Sequence, residues 1–424
     1  MNYPEPARHI ENIKKVKTTL GLLLFTFLLQ CISSSMVHPQ STITPTELII
    51  RRTLASLESQ RIRSTIQSLQ NFQTRYLHAS NRDSVVQWIR QQFLSMGYTT
   101  TSVDSFIYTS GSTISWQKNI LATLPGTETA AGRIVVGGHY DSRANPDPMT
   151  YSPGADDNAS GIAAILEIAR VFKEKKIRPQ IPITFIAFGA EEVGLYGSAH
   201  HARTSKEQND SIRFMVNLDV ISWCQLPPNQ FLVKISKSKS MQTSTLSQEA
   251  VDATHRFTSL QASISAGISS DELSYQAVQI PALSFYESVF NPLMHTKSDV
   301  LENCNIEYCT EIARATAAFI LSSAPPMTDD PALTVRPDEI QLYQNYPNPF
   351  NSSTTIEFDI AAPSHARIKI FNLLGKEVAT LVDKEIPQGR YVVSWKAQDQ
   401  STGVYYCVLN SGGATMTKRI LLLR

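Results

Sequence analysis

From about Thr46 to Tyr98, apolar residues recur every three or four positions. Val85, Ile89, Phe93 and Met96 are the clearest set, and Gly97 follows as a stop, so this stretch is predicted helical. The pattern then changes. Ile134-Val135-Val136, Ile183 to Phe188, Phe214 to Leu218 and Ile280 to Phe285 are short apolar runs of the kind that form buried strands. Between them, Ile162, Ile165, Leu166, Ala169 and Phe172 mark an amphipathic helix, and a last helix is expected from about Ile306 to Leu321. Continuous apolar strands alternating with helices predict an α/β unit over residues 46–322. Its central sheet should be mostly parallel and flanked by helices.

The helical period ends at Ser322. Ser322-Ser323-Ala324-Pro325-Pro326 and Asp329-Asp330-Pro331 read as a Pro-rich linker over 323–336. Beyond it, Thr354–Ile360, Ala366–Phe371, Arg390–Trp395 and Gly403–Leu409 are predicted strands. Leu374-Gly375-Lys376, Pro387-Gln388-Gly389 and Ser411-Gly412-Gly413 are the turns between them. Residues 337–424 are therefore expected to form a small all-β sandwich.

Composition narrows the functional classes. The 424 residues are 42% hydrophobic and 18% charged, which excludes a disordered or collagen-like chain. Lys and Arg number 38 and Asp and Glu 37, a net charge of +1 that argues against nucleic acid as a partner. No apolar run reaches the ~18 residues of a stable membrane span. The five cysteines include no C-x-x-C pair, so a thiolate zinc cluster is not expected. Cys304 and Cys309 could pair in an oxidising compartment, which sequence alone leaves open.

The N-terminus reads as an export signal over residues 1–35. Arg8, Lys14, Lys15 and Lys17 precede an apolar run from Leu20 to Leu29, and Ser33, Ser34 and Ser35 follow. That is the order of a secretory signal peptide. Residues 37–48, with Pro39 and Pro45, read as a polar connector.

The candidate chemistry lies where the strands end. In an open parallel sheet, sites form beyond the carboxyl ends of the strands. The first run ends in His139-Tyr140-Asp141, the second in Glu191-Glu192 and the third in Asp219. Asp156-Asp157 precedes the long helix, and His295 follows the fourth run. Taken singly, each has a bland reading: a satisfied polar histidine, a capping aspartate, a solvated glutamate pair. Together they deliver imidazole and carboxylate to one rim, a donor set suited to zinc or a similar divalent ion. One catalytic zinc needs three protein ligands. His139, Asp157, Glu192, Asp219 and His295 are five, enough for two metals if one carboxylate is shared. Glu191 neighbours a ligand without being needed to complete a shell and is the natural general base.

Gly138-His139-Tyr140-Asp141-Ser142, Pro153 to Gly161 around Asp156-Asp157, Ala190 to Ser198 around Glu191-Glu192, Asn217-Leu218-Asp219, and His295 to Asp299 resemble, in order and spacing, the M28 family of di-zinc aminopeptidases. The resemblance implies a zinc-peptidase fold, two zinc ions and removal of N-terminal residues from peptides. It implies that His139 and Asp219 hold one zinc, that Glu192 and His295 hold the other, and that Asp157 bridges them. Glu191 would be the catalytic base and Asp141 would orient His139; Asp299 is expected to do the same for His295, and Asp156 to be a polar or capping neighbour. Two departures stand out. Ser270-Asp271-Glu272 replaces a common Ser-Asp-His near the substrate pocket, and Trp223-Cys224 is not the usual small or polar pair.

The tail resembles a second family. Gln344 to Asn351, with Pro347-Asn348-Pro349-Phe350, then Ile370 to Val378, and the closing Thr417 to Arg424 look like a type A C-terminal sorting domain of the type IX secretion system. This implies the type IX machinery as a partner and a secreted or cell-surface location reached through the periplasm. A glutaminyl cyclase-like acyltransferase, a carboxypeptidase on the same fold and a non-enzymatic adhesion protein are the alternatives.

Overall fold

The computed structural model describes residues 45–128, 132–237, 244–328, 337–397 and 399–423. The expected signal peptide and residues 329–336 of the linker lie outside them. Three helices open the described chain: α1 (Pro45–Leu54), α2 (Ser59–Gln70) and α3 (Arg82–Ser95). Ile62, Ile66 and Leu69 of α2, and Val85, Val86, Ile89 and Phe93 of α3, turn inward, as the three-and-four spacing requires. Gly97, at φ 84°, ends the last of them, a backbone state that costs glycine little.

The chain then builds an eight-stranded sheet: β1 (Thr101–Ser110), β2 (Thr113–Leu124), β3 (Arg133–His139), β5 (Ile183–Phe188), β6 (Ile212–Leu218), β7 (Leu232–Ser236), β8 (Gln261–Ser265) and β9 (Ala282–Glu287). Its order is β1-β2-β5-β3-β6-β9-β7-β8. The central pairings β5-β3, β3-β6 and β6-β9 are parallel, as is β7-β8. The β1-β2, β2-β5 and β9-β7 pairings are antiparallel. The centre thus matches the parallel sheet read from apolar runs, and the margins do not. The β1-β2 hairpin is half-exposed and its polar residues hide the strand signal.

Helices α4 (Gly161–Glu174), α5 (Tyr196–Glu207), α6 (Ser244–Phe257), α7 (Glu272–Ala277) and α8 (Ile306–Ser323) join the strands or pack on them. Helix α4 buries Ile162, Ile165, Leu166, Ile168, Ala169, Val171 and Phe172, so it is a core element rather than a surface one. The linker begins later than its prolines suggest. Pro326–Thr328 forms β10, which pairs antiparallel with β4 (Ile177–Pro179).

The tail is a sandwich of two antiparallel sheets. One is β11 (Gln341–Leu342), β12 (Ser353–Ile360) and β15 (Gly389–Lys396). The other has the order β14 (Glu377–Ile386), β13 (Ser364–Asn372), β16 (Gly403–Ser411) and β17 (Ala414–Leu422). Phe350, Phe358, Ile368, Ile370, Trp395, Leu409 and Ile420 meet between them as a separate core. The four predicted strands are present. β14 and β17 carry too much charge for their apolar alternation to stand out. Tyr346, in the Pro-rich opening of the sandwich, donates its hydroxyl to Glu311 of α8 at 3.3 Å.

Candidate metal centre

Close packing brings the strand ends together. A Cβ on Gly138 would lie 2.5 Å from the Leu218 carbonyl oxygen, and one on Gly161 would lie 2.3 Å from the same atom. Only glycine fits at either place, so β3, β6 and the start of α4 meet beneath the site. Asn158 fastens the junction: its Nδ2 donates to the Leu218 carbonyl at 2.8 Å, and its Oδ1 accepts the Gly161 N–H at 2.9 Å. Ala190, Leu195, Val220 and His295 have positive φ, between 47° and 62°. Such backbone is costly for a β-branched residue like Val220, and it clusters here beside the chemistry.

All six predicted residues converge. Asp157 sits at the centre, with Oδ1 3.2 Å from His139 Nε2 and Oδ2 3.0 Å from His295 Nε2. On the first side, Asp219 Oδ1 is 3.2 Å and Glu191 Oε2 3.8 Å from His139 Nε2. On the second, Glu192 Oε2 is 3.1 Å from His295 Nε2. The donors of His139, Glu191 and Asp219 lie within 4.8 Å of one another, as do those of Asp157, Glu192 and His295.

The electrostatics follow from this crowding. Burial raises the proton affinity of Glu191; Asp219, Asp271 and Glu192 raise it further, while His139 opposes them, and the pKa ends well above its ordinary value. Burial and the Asp157 charge push Glu192 up to about 7. Asp157 goes the other way. Burial favours its neutral form, but hydrogen bonds from His139 and His295 outweigh that and hold it below the carboxylate range. Hydrogen bonds to Asp157 and Glu192 lift His295 to about 10. Burial favours neutral His139, yet Glu191 and Asp219 raise its pKa well above the usual value.

The residues fit a pair of divalent cations. Glu192 Oε1 is buried without a hydrogen-bond partner, an orphan that a metal would satisfy. Buried carboxylates outnumber the two imidazoles, and the donors are all nitrogen or oxygen, as zinc accepts.

The supporting contacts differ partly from expectation. His139 Nδ1 is 3.1 Å from the Asp141 main-chain oxygen and 3.6 Å from the Asp141 carboxylate. That carboxylate instead accepts the N–H groups of Glu191 at 3.1 Å and Glu192 at 3.2 Å, tying two strand ends together. Asp299 does not reach His295. It accepts the N–H groups of Asp156 at 2.9 Å and Asp157 at 3.1 Å, and so fixes the central carboxylate. His295 Nδ1 faces Arg143 Nη2 at 3.1 Å. Asp156 is no cap. It is fully buried and accepts from the Ser222 N–H at 2.8 Å, the Ser222 hydroxyl at 2.7 Å and Asn291 Nδ2 at 3.0 Å.

Sequence reasoning missed two arginines, for no local motif marks either. Arg143 lines the cavity beside Glu192 and His295. Arg75 is buried and donates to the carbonyls of Tyr140, Pro153 and Gly154 at 2.7 Å each, stitching β3 to the loop that carries Asp157. Asp271 and Glu272, in the departing segment, are buried behind Asp219, where burial lifts them to about 7 and about 8. The four described cysteines are free thiols.

The candidate ligands line a cavity of about 370 Å³ together with Ile268, Phe290 and Met294. Residues 119–320 match the family model of Peptidase family M28, and residues 344–423 match that of the Secretion system C-terminal sorting domain. Two parts of the chain are thus similar, in order, to an M28 peptidase domain and to a C-terminal sorting domain. A probable zinc metalloprotease of Pyrenophora teres f. teres is 37% identical over 191 residues, which cover 41% of this chain and 40% of that protein. The chain therefore spans about two fifths of that relative's length. A probable leucine aminopeptidase of Arthroderma otae is 27% identical over 291 residues, covering 65% of this chain and 76% of the relative. Among solved structures, the LapA aminopeptidase of Legionella pneumophila superposes with a TM-score of 0.58 at 25% identity, covering 70% of this chain and 79% of that one. A glutaminyl cyclase of Bacteroides thetaiotaomicron shares the fold, with a TM-score of 0.53 at 18% identity, covering 62% of this chain and 98% of that one.

Proposed function

We propose that this protein is an exported zinc aminopeptidase that holds two metal ions and removes N-terminal residues from peptides. The observation that carries the reading is Asp157, whose two oxygens face the two histidines at 3.2 Å and 3.0 Å from the middle of two donor groups. His139 and Asp219 would hold one zinc, Glu192 and His295 the other, and Asp157 both. Zinc held there supplies Lewis acidity to the scissile carbonyl and lowers the pKa of a coordinated water.

The chain's own residues do the rest. Glu191 takes a proton from the attacking water and returns it to the leaving amine; its raised proton affinity suits a base working near neutral pH. Carboxylates dominate the cavity, and Arg143 is already engaged with Glu192 and His295, so a free amino terminus is favoured over a free carboxylate. That separates the aminopeptidase from the carboxypeptidase reading. Ile268, Phe290 and Met294 offer an apolar seat for the first side chain. Two donor groups rather than one weigh against a single-zinc acyltransferase.

The sorting domain supports export to the cell surface or beyond through type IX machinery, after a signal at residues 1–35 carries the chain to the periplasm. Among the described residues, no helix is long and apolar enough to cross a membrane. The test is digestion of a peptide mixture, read by mass spectrometry. Stepwise loss of N-terminal residues, abolished by chelator, is expected. C-terminal trimming, or no cleavage by zinc-loaded protein, would overturn the reading.

A further inference from the structure

A second cavity, of about 500 Å³, lies beside the first, and Gly194 lines both. Its walls come from the β1-β2 hairpin and from α5, elements that contribute no residue to the metal centre. Two features mark it as a binding groove. Ile107 and Trp116 are register partners on the hairpin and are 51% and 57% exposed, a large apolar pair facing solvent. On the other wall, Tyr196, His200 and Arg203 recur at four and three residues and so lie along one face of α5. Arg203 is exposed, and its ion-pair partner Glu207 stands 4.0 Å away.

We propose that this groove binds the downstream part of the peptide substrate, so that the enzyme prefers short peptides with apolar residues beyond the scissile bond and a free C-terminal carboxylate. The inference rests on the aminopeptidase reading and extends it. The first residue of such a substrate packs against the apolar side chains Ile268, Phe290 and Met294 that line the metal-centre cavity. Since Gly194 lines both cavities, the remainder is placed past it in the second one. From Tyr196 to Arg203 the helix advances ~10 Å at 1.5 Å per residue. An extended peptide covers that span with about three residues. Downstream side chains then meet Ile107 and Trp116, and the terminal carboxylate comes within reach of Arg203. Gly194, at the junction between the cavities, has φ 124°, a backbone state that favours glycine.

The test uses the zinc-loaded full chain and compares kcat/KM for Leu-Ala, Leu-Ala-Ala-Phe, Leu-Ala-Ala-Ser and Leu-Ala-Ala-Phe-amide. Leucine 4-nitroanilide, which has no peptide residue beyond the scissile bond, reports on the catalytic reading separately. The free-acid Phe tetrapeptide is expected to exceed the dipeptide by about tenfold or more. Trp116→Ala should collapse the Phe-over-Ser ratio, and Arg203→Glu the acid-over-amide ratio. Calorimetric binding of Ala-Ala-Phe, a product and not a substrate, tests the groove even in the absence of turnover; Trp116→Ala should weaken it about tenfold. Ratios and binding unchanged in both variants would overturn the proposal. A wild type inactive on the nitroanilide would instead overturn the aminopeptidase reading.

Discussion

Among the described residues of the sandwich, the one deeply buried carboxylate, Asp359, is matched by the Arg390 guanidinium and accepts the Tyr343 hydroxyl at 2.7 Å. At the rim of the peptidase sheet, Asp157, Glu191, Glu192 and Asp219 crowd around two imidazoles, and one oxygen of Glu192 has no partner. Glu357 at the sandwich edge pairs with Arg52 of α1 at 3.4 Å, while the sandwich matches its buried charge with a cation and fills the rest of its interior with apolar side chains. The rim does not. A carboxylate removed from water without a counter-charge is costly, so the rim is held in a state that bound cations would relieve. The sandwich thus leaves its buried carboxylate satisfied, whereas the rim leaves carboxylate oxygens that cations would satisfy.

The largest expected difference follows from metal removal. Chelator should destabilise the peptidase unit by about 4 kcal/mol for each site that had been held at a thousandfold excess over its Kd. The sandwich should melt unchanged, and calorimetry of the full chain resolves the two transitions. A common shift of both would break the comparison. Next comes Glu191→Gln. It should keep two metals and the fold while kcat drops by about two to four orders of magnitude, as for loss of a general base. Steady-state kinetics on metal-quantified protein decide this, and near-normal turnover would remove Glu191 from its role.

Trp395→Ala then probes the other side. Trp395 is buried between the sandwich sheets against Phe350 and Tyr405. Its loss should cost the sandwich about 3–5 kcal/mol while leaving zinc content and peptidase turnover intact. Loss of activity in this variant would show that the two units are not independent.

The smallest effect concerns pH. Glu272 has a folded pKa of about 8, raised by burial from 4.5. The folded state therefore keeps a proton that the unfolded chain releases, and stability drops as pH rises from about 4.5 through 8. Glu272→Gln should flatten that decline, so the variant's melting temperature gains on wild type at pH 8.5 relative to pH 5.5. An equal difference at both pH values would contradict the assignment.

What could be read from sequence follows the same division. The buried strands β3, β5, β6 and β9 stood out because both faces are covered, which makes them continuous apolar runs. The β1-β2 hairpin, β14 and β17 did not, since exposed strands need only a partial apolar face. The candidate ligands were legible because each follows a buried strand or opens a core helix. Their supports were not. Asp299 reaches Asp156 and Asp157 across 143 and 142 residues of chain, and Arg75 binds carbonyls more than 60 residues away, contacts that no local spacing encodes. Asp156, expected as a polar or capping neighbour, is the buried anchor of Ser222 and Asn291, which makes it a poor neutral control for Asp157.

The central claim is that one carboxylate, Asp157, serves two metal ions. Elemental analysis of zinc per chain after dialysis tests it on wild type, Glu191→Gln and Asp157→Asn. Wild type and Glu191→Gln should each retain two zincs. Asp157→Asn should lose both together, since an amide lacks the charge and the second anionic oxygen needed to hold two dications close, and its melting temperature should respond less to added zinc. Two tightly bound zincs in Asp157→Asn, or a single zinc in wild type, would contradict the account.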